Sequence, residues 1–358
     1  MIDITQLFIS PETSINAALT CIDNNLRGIA LVVDEQHHLL GTVVDGDIRR
    51  AILSGLSFDL PVTELLSRKP PHYIRPVSVR EATDKEIIVQ LMKERSVRHV
   101  PLVNELDQVV GLFALDDFVV DAQMPASMQA VVMAGGFGKR LLPLTENVPK
   151  PMLPVGDRPL MEHIIDQLRS AGIRQVNVTT HYRAEKIQEH FGDGSSFGVA
   201  LNYISEGSPL GTAGGVGLVQ STSQPLLVIN GDILTNINFN DMLAYHRECD
   251  AALTVAVRKY EFTVPYGVVE TDKGCIKRVV EKPYYEFFVN AGIYLLEPRV
   301  HSMIPHRVHL DMTELIQMLL DKGETVGSFP ILEYWLDIGQ YADYQRAQED
   351  VKNGKLDR

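Results

Sequence analysis

The chain is poor in cysteine, in histidine pairs, in basic charge and in long apolar runs, and each shortage removes a class of protein. Its three cysteines, Cys21, Cys249 and Cys275, are odd in number, far apart and form no C-x-x-C pair. This argues against a disulfide framework and a zinc site, and it fits a reducing compartment. The histidines give no H-E-x-x-H spacing; His306 and His309, one helical turn apart, read as surface residues. No stretch reaches the ~18 apolar residues of a membrane span. The start, Met1-Ile2-Asp3-Ile4-Thr5, lacks the basic and then apolar run of a signal peptide. A cytoplasmic location is therefore expected. The 33 basic residues are outnumbered by 46 acidic ones, for a net charge of −13, of which −7 lies in residues 1–122 and −6 in the rest. Neither part carries the basic footprint of a nucleic-acid binder. An acidic protein that handles phosphates has to concentrate its cations locally.

What is present is enough for two domains: 358 residues, 45% of them hydrophobic. The first 122 residues hold an internal repeat of two parts, about 1–66 and 67–122. Arg27–Val33 and Gly41–Val44 read as strands, and a helix starts near Asp47. Val97–Val103, Gly111–Ala114 and Asp117-Phe118-Val119 repeat that pattern, with anchors Gly28/Arg98, Gly41/Gly111 and Asp47/Asp117 at a constant offset. Leading helices are predicted over Ser14–Asn25 and Val79–Arg95. Asp47 and Asp117 each stand where a helix needs an N-cap. Duplicated units of this kind pack against each other to complete one core. The segment resembles a pair of CBS domains, an α+β module. In that family, Gly-hydrophobic-hydrophobic-Ser/Thr-x-x-Asp often touches the ribose and phosphate of an adenine nucleotide. The resemblance offers Asp47 and Asp117 as ligands for a nucleotide effector. The usual hydroxyl is replaced by Val44 and Ala114, so both aspartates read equally well as helix caps.

Asp121–Ser127 has no periodicity, carries Pro125 and reads as a linker. Beyond it, over 129–358, strands and helices alternate, which predicts an α/β domain with a largely parallel, Rossmann-like mixed sheet. Met128–Ala134, Val176–Thr180 and Leu226–Ile229 are strand-like runs. Leu160–Ala171 has a one-sided apolar helical pattern, with Gly172 just past its end.

Ala134-Gly135-Gly136-Phe137-Gly138-Lys139-Arg140 follows the first of these strands directly. Its glycines let backbone N–H groups approach a phosphate chain, and Arg140 adds a planar fork for phosphate oxygens. The spacing fits neither the P-loop nor the dinucleotide fingerprint. Pro149-Lys150-Pro151 fixes a lysine between two prolines, suited to holding a cation against a leaving diphosphate. Taken alone, the first segment is also a Gly-rich turn and Lys150 a loop lysine.

Together, Gly135–Thr145 and Pro149-Lys150-Pro151 resemble the signature of sugar-1-phosphate nucleotidylyltransferases, and further motifs follow in that family's order to about residue 345. The resemblance implies nucleotide binding at Ala134, Gly135, Gly136, Gly138, Glu206, Gly211 and Thr212. It implies sugar-phosphate binding at Tyr266, Gly267, Glu281, Lys282, Asn290 and Gly292. Asn230-Gly231-Asp232 and Trp335-Leu336-Asp337 match the segments that give the metal-binding Asp232 and Asp337; alone, Asp232 also reads as the cap of a helix after Gly231. Arg140, Lys150 and Lys282 are the implied catalytic cations. Lys139 and Gln340 depart from the usual residues. The implied reaction joins a nucleoside monophosphate from a nucleoside triphosphate to a sugar 1-phosphate, with Mg²⁺ as cofactor. The phosphate nucleophile is already ionised near neutral pH and needs no general base, so positioning and charge neutralisation carry the catalysis. Glu206 offers acceptors only, which suits the paired donors of guanine and favours GTP over UTP or dTTP. The family context suggests surface-glycan biosynthesis, and a homo-oligomer is expected. The reading from another class is an inactive nucleotide or sugar-nucleotide sensor that regulates a partner.

Overall fold

A computed structural model describes residues 3–25, 27–69, 73, 75–95, 97–114 and 128–356, the side chain of Lys93 aside. Asp117 and the expected linker Asp121–Ser127 lie outside the described residues. The chain divides into two units, Met1–Met124 and Pro125–Arg358.

The repeat in the first unit is explicit in its strand pairing. β1 (Phe8–Ile9) runs parallel to β2 (Ile29–Val33), which pairs antiparallel with β3 (Leu39–Val44). β4 (Val79–Arg80), β5 (His99–Val103) and β6 (Val109–Ala114) repeat the order and the senses. Val32 faces Gly41 and Leu102 faces Gly111, and each ladder is irregular at the next position. Ile15, Ala18 and Ile22 of helix Ile15–Asn25 pack with Ala30, Val32 and Ile48 on one side of the first sheet. On the other side Leu7, Ile29, Leu31 and Val33 join Val103 and Val109 of the second repeat in a shared core.

Two expectations shift here. The second leading helix spans only Lys85–Arg95, because Val79 pairs with Leu102 in the sheet and the chain turns at Thr83 before the helix begins. Val44, not Asp47, is the N-cap of helix Asp45–Leu53. Asp47 is the third helical residue and reaches back to accept the Val44 N–H at 3.0 Å.

In the second unit, β7 (Gln129–Met133) opens a central sheet. β8 (Pro154–Val155) and β9 (Arg158–Pro159) form a small hairpin. Helix Leu160–Ser170 buries Leu160, Met161, Ile164, Ile165 and Leu168 and ends before Gly172, whose φ of 83° turns the chain. The remaining strands are β10 (Gln175–Thr180), β11 (Ala200–Ser205), β12 (Leu226–Asn230), β13 (Ile233–Thr235), β14 (Leu253–Thr263), β15 (Val268–Asp272), β16 (Cys275–Val280), β17 (Tyr284–Leu296), β18 (Val326–Pro330) and β19 (Trp335–Asp337). The seven-stranded sheet has the order β11-β10-β7-β12-β17-β14-β18, with β17 antiparallel to both neighbours. Its near-continuous apolar strands, such as Ala130–Val132 and Leu226–Ile229, are buried on both faces, as a helix-covered parallel sheet requires. β14 and β17 run on past the sheet as a two-stranded arm that ends in the β15–β16 hairpin. Among the described residues, no helix is long and apolar enough to cross a membrane.

Candidate active site

The carboxyl ends of β7 and β12 lie side by side, since Asn230 pairs with Met133. This is where α/β sheets gather their ligands. Gly231 keeps the two ends together: its N–H donates to Met133 O at 2.9 Å, and a Cβ there would lie 2.7 Å from the same oxygen. After β7 the chain enters the glycine loop. Gly138 takes a left-handed φ of 64°, and a Cβ there would lie 2.8 Å from Thr145 Cγ2. The buried Thr145 hydroxyl donates back to Gly138 O at 2.8 Å and holds the loop closed. Lys139 and Arg140 follow in a single 3-10 turn, both exposed.

Lys150 begins another such turn, fixed by Pro149 and Pro151, and is buried. Its Nζ donates to Asp232 Oδ2 at 2.5 Å. The other carboxylate oxygen, Asp232 Oδ1, is buried without a hydrogen-bond partner. No helix follows Gly231, so Asp232 does not cap one; β13 follows instead and pairs with β19, placing Ile233 opposite Asp337. Ile338 N–H donates to Asp232 O at 3.0 Å, and the two aspartates are thereby brought together. Asp337 offers surface to solvent, yet atoms packed around its carboxyl raise its pKa first, and the charge of Asp232 second. Lys150 and Arg140 pull in the opposite direction. Two carboxylates thus stand together, and Asp232 Oδ1 is left without a partner although Lys150 holds the other oxygen. A pair of carboxylate oxygens arranged in this way fits a hard divalent cation with oxygen ligands.

Glu206 stands just after β11. Its Oε2 accepts the Leu210 N–H at 3.1 Å. Its Oε1 faces glycine backbone: a Cβ on Gly135 or Gly215 would lie 3.1 or 3.0 Å from it. The carboxylate is thus turned inward onto the glycine loop, with one oxygen partly committed. Thr212 donates its N–H to Asp311 Oδ1 at 3.1 Å, and its hydroxyl accepts the Met312 N–H at 2.8 Å. The Ala213 and Gly214 N–H groups both reach Leu310 O. Gly211 has a φ of 78°, and a Cβ there would lie 2.6 Å from Leu310 O. These residues lock the loop beside Glu206 to the segment before helix Met312–Asp321.

Asn290 accepts the Gly292 N–H on its Oδ1 at 2.9 Å. Gly292 has a φ of 71°, and a Cβ there would lie 2.6 Å from Asn230 Nδ2. Tyr266, Gly267, Glu281 and Lys282 stand on the arm. Glu281 lies over Gly267, where a Cβ would be 3.0 Å from its Oε2, and Lys282 holds a left-handed φ of 43°, uncommon for a residue with a side chain.

Three participants escaped the sequence reading. Asn230, inside the Asn-Gly-Asp motif, has an Oδ1 that is buried without a partner, and packs on Gly292. His181 Nδ1 lies 2.8 Å from Glu206 O and ties β10 to the loop carrying Glu206. Phe137 meets the His181 ring edge-on at 5.3 Å, with Lys139 Nζ 5.5 Å above its own ring. His181 and Phe137 sit in no spacing pattern that names them; Asn230 was legible as the residue before Gly231.

In the first unit, Asp47 is spent within the fold. Besides the Val44 N–H, it pairs with Arg50 at 2.6 Å and with the buried Lys69 at 2.7 Å.

Residues 129–354 match the family model for nucleotidyl transferases, and residues 3–54 and 62–120 match that for the CBS domain. The chain is 34% identical over 225 residues to the mannose-1-phosphate guanylyltransferase catalytic subunit beta of Drosophila pseudoobscura pseudoobscura, a match covering 60% of each chain. It is 34% identical over 250 residues to the UTP–glucose-1-phosphate uridylyltransferase of Synechocystis sp., covering 64% of each. The match thus spans 60% and 64% of the lengths of these relatives. A crystal structure described as a glucose-1-phosphate thymidylyltransferase from Bacillus anthracis is similar with a TM-score of 0.52 at 23% identity, covering 64% of this chain and 99% of that one. That likeness shows the shared fold.

Proposed function

Since the chain belongs to the nucleotidyl transferase family, we propose that it transfers a nucleoside monophosphate from a nucleoside triphosphate to a sugar 1-phosphate. The observation that carries this reading is the Lys150–Asp232–Asp337 group at the mouth of the glycine loop, with Asp232 Oδ1 left unpartnered. A structural ion pair has no use for a second carboxylate and an orphaned oxygen; a triphosphate with its cation does.

In this reading an oxygen of the sugar phosphate attacks the α-phosphorus. A new P–O bond forms as the bond to the β-phosphate bridging oxygen breaks, and pyrophosphate leaves with the electron pair. The glycine loop Ala134–Gly138 lays backbone N–H groups along the triphosphate. Arg140 and Lys150 neutralise it, and Lys282 holds the attacking phosphate. Glu281, Tyr266, Gly267, Asn290 and Gly292 line the sugar side. Asp232 and Asp337 would hold a divalent cation, in our reading Mg²⁺, which when bound supplies charge to the reacting phosphates. No side chain needs to remove a proton.

GTP is the favoured donor in this reading, because Glu206 turns an acceptor-only carboxylate onto the glycine loop. Relatives that use GTP and UTP by their names stand at the same identity, so the base rests on Glu206. The product sugar nucleotide would feed surface-glycan synthesis in the cytoplasm, with the CBS pair as the place for a nucleotide effector. The test is pyrophosphate release from a panel of triphosphates and sugar 1-phosphates. Turnover with at least one pair is expected; none across the panel would leave the sensor reading in its place.

A further inference from the structure

Between β18 and β19 the chain crosses from the edge of the seven-stranded sheet to the site, and residues 331–334 carry it there with no regular structure. The backbone groups of such a segment have no ladder to pair with, so their partners have to come from elsewhere. Three successive carbonyls are met by one side chain. Arg258 Nη1 donates to Ile331 O at 2.8 Å, to Glu333 O at 3.1 Å and, at 3.4 Å, to Leu332 O. Two hydrogens spread over three acceptors make one of these bonds bifurcated. The next carbonyl, Tyr334 O, accepts from the Thr235 hydroxyl at 2.8 Å and from the Asn236 N–H at 3.0 Å. Trp335 then donates its indole N–H to Ala291 O at 2.9 Å. Two residues later stands Asp337.

Both anchors of this crossing stand at the foot of the arm. Pairing with β18 ends at Val257, so Arg258 is the first residue of β14 beyond the sheet, opposite Val289. Ala291 lies between Asn290 and Gly292, where two steps along β14 span four along β17. Irregularities of this kind turn groups towards new partners beside sites, and here the Ala291 carbonyl meets Trp335. Arg258 itself is half-buried. Its guanidinium keeps its charge at any physiological pH and spreads its donors in one plane, which a lysine cannot do.

We propose that Arg258 is a positioning residue for Asp337. By holding the crossing segment against the foot of the arm, it fixes where the second carboxylate stands and ties it to the strands that carry the sugar-side residues. This rests on the proposed function, in which Asp337 holds the cation and Asn290 and Gly292 line the sugar. A segment without a ladder opens easily unless its backbone groups are held. A carboxylate ligand loses cation affinity when the partners that orient it are removed. Arg258 touches neither substrate in this reading and acts only through residues 331–337. Glu206, fixed by the Leu210 N–H on a different segment, is no part of the linkage.

Trp335 is the one tryptophan of the chain, so its fluorescence reads the crossing segment directly and without turnover. Arg258→Met removes the donors and keeps an unbranched stem. Arg258→Lys keeps the charge without the planar fork, and serves if the first variant does not fold. Quenching of Trp335 by acrylamide in the metal-free protein is expected to increase in Arg258→Met and to increase less in Arg258→Lys, with the circular dichroism spectrum of wild type. Mn²⁺, the probe for the cation site, followed by electron paramagnetic resonance, is expected to bind Arg258→Met roughly tenfold more weakly, as for other lost partners of a metal ligand. In turnover the KM for the sugar 1-phosphate is expected to rise, while the ratio of kcat/KM between GTP and UTP stays that of wild type. An arginine that only braced the sheet edge would lower the melting temperature and move none of these. A folded Arg258 variant with wild-type quenching or wild-type Mn²⁺ binding would therefore overturn the inference and leave the proposed function standing. So would failure of both variants to fold, which would make Arg258 a residue of the fold and not of the site. A wild type that binds no Mn²⁺ and turns over no substrate pair would remove the proposed function and this inference with it.

Discussion

Lys150 donates to one oxygen of Asp232 at 2.5 Å while the other oxygen of the same carboxylate is buried without a partner. A carboxylate satisfied on one side only, with Asp337 alongside raising the local negative charge, is a place prepared for a second positive group. Burying such groups without compensation is costly.

Removing either charge therefore tests the site. Asp232→Asn and Asp337→Asn are expected to lower turnover by orders of magnitude, because each loses a ligand for the cation on the reacting phosphates. The fold is expected to survive; the melting temperature of the metal-free protein is expected to hold or rise in Asp337→Asn and to fall in Asp232→Asn, which takes the counter-charge from the buried Lys150. Steady-state rates measured across a range of Mg²⁺ concentrations check this. Near-normal rates in both variants would remove the metal assignment.

The base preference hangs on Glu206. One of its oxygens already accepts from the Leu210 N–H, so recognition of guanine would centre on Oε1, with Oε2 shared. Glu206→Gln introduces a donor and is expected to shift kcat/KM from GTP towards UTP by roughly tenfold or more, since an unpaired polar contact costs about 1–3 kcal/mol. A wild type that prefers UTP or dTTP, or an unchanged ratio in the variant, would show that another group reads the base.

Acid sensitivity follows from His163. Its Nε2 lies 2.9 Å from Val155 O and donates to it, and its Nδ1 is buried with no partner. Burial foremost holds its pKa below the ordinary histidine value; Arg158 also lowers it, while Val155 O, Glu162 and Asp166 act to raise it. His246 is shifted the same way, again by burial first, against the pull of Glu297. The unfolded chain thus takes up these protons before the folded one does. Their contribution to stability is complete above the ordinary histidine pKa of about 6.5 and is lost as pH falls below it. Thermal unfolding followed from about pH 7.5 to 5 should show a falling midpoint. His163→Gln, which keeps a donor for Val155 O, should flatten the slope; an unaltered slope would place the acid sensitivity elsewhere.

Asp47 tests the first unit. Asp47→Ala strands the buried Lys69 and frees the Val44 N–H, an uncompensated charge expected to cost about 3–5 kcal/mol. Adding Lys69→Met should recover much of that loss. Denaturant unfolding of the three proteins checks this, and equal midpoints for wild type and Asp47→Ala would show the triad to be idle. A flat titration of the wild type with adenine and guanine nucleotides would match an Asp47 already committed to its neighbours.

Much of this architecture was legible in the residues because local rules agree with the fold. The repeat showed in Gly41/Gly111, since both glycines hold the same register in equivalent hairpins. Helix Leu160–Ser170 showed in its apolar spacing and in Gly172. What was not legible depended on contacts between distant segments. Val79 has a helical pattern ahead of it but a strand partner in Leu102. Asp232 reads as a helix cap until β19 supplies its neighbour. The commitment of Thr212 to Asp311 joins residues nearly a hundred positions apart, which no local spacing encodes. The arm was hidden for another reason: Tyr260 and Phe262 alternate with Lys259, Glu261 and Thr263 as any half-buried strand does, and Tyr284-Tyr285-Glu286-Phe287-Phe288 reads as an ordinary apolar run, while the structure leaves these rings exposed.

The β13–β19 pairing has a consequence for the growing chain. By the time Asp232 has been made, the neighbouring strands β7, β10 and β12 can already associate. The second carboxylate arrives only with β19, and the strip that carries it is held by helix Tyr341–Lys352, whose Tyr344 and Gln348 clasp Pro154 O near Lys150. On the proposed function, a nascent polypeptide would have its glycine loop in place before its second carboxylate. A chain that stops before β19 lacks Asp337 and the pairing that sets it beside Asp232, so on the proposed function such products are expected to be silent.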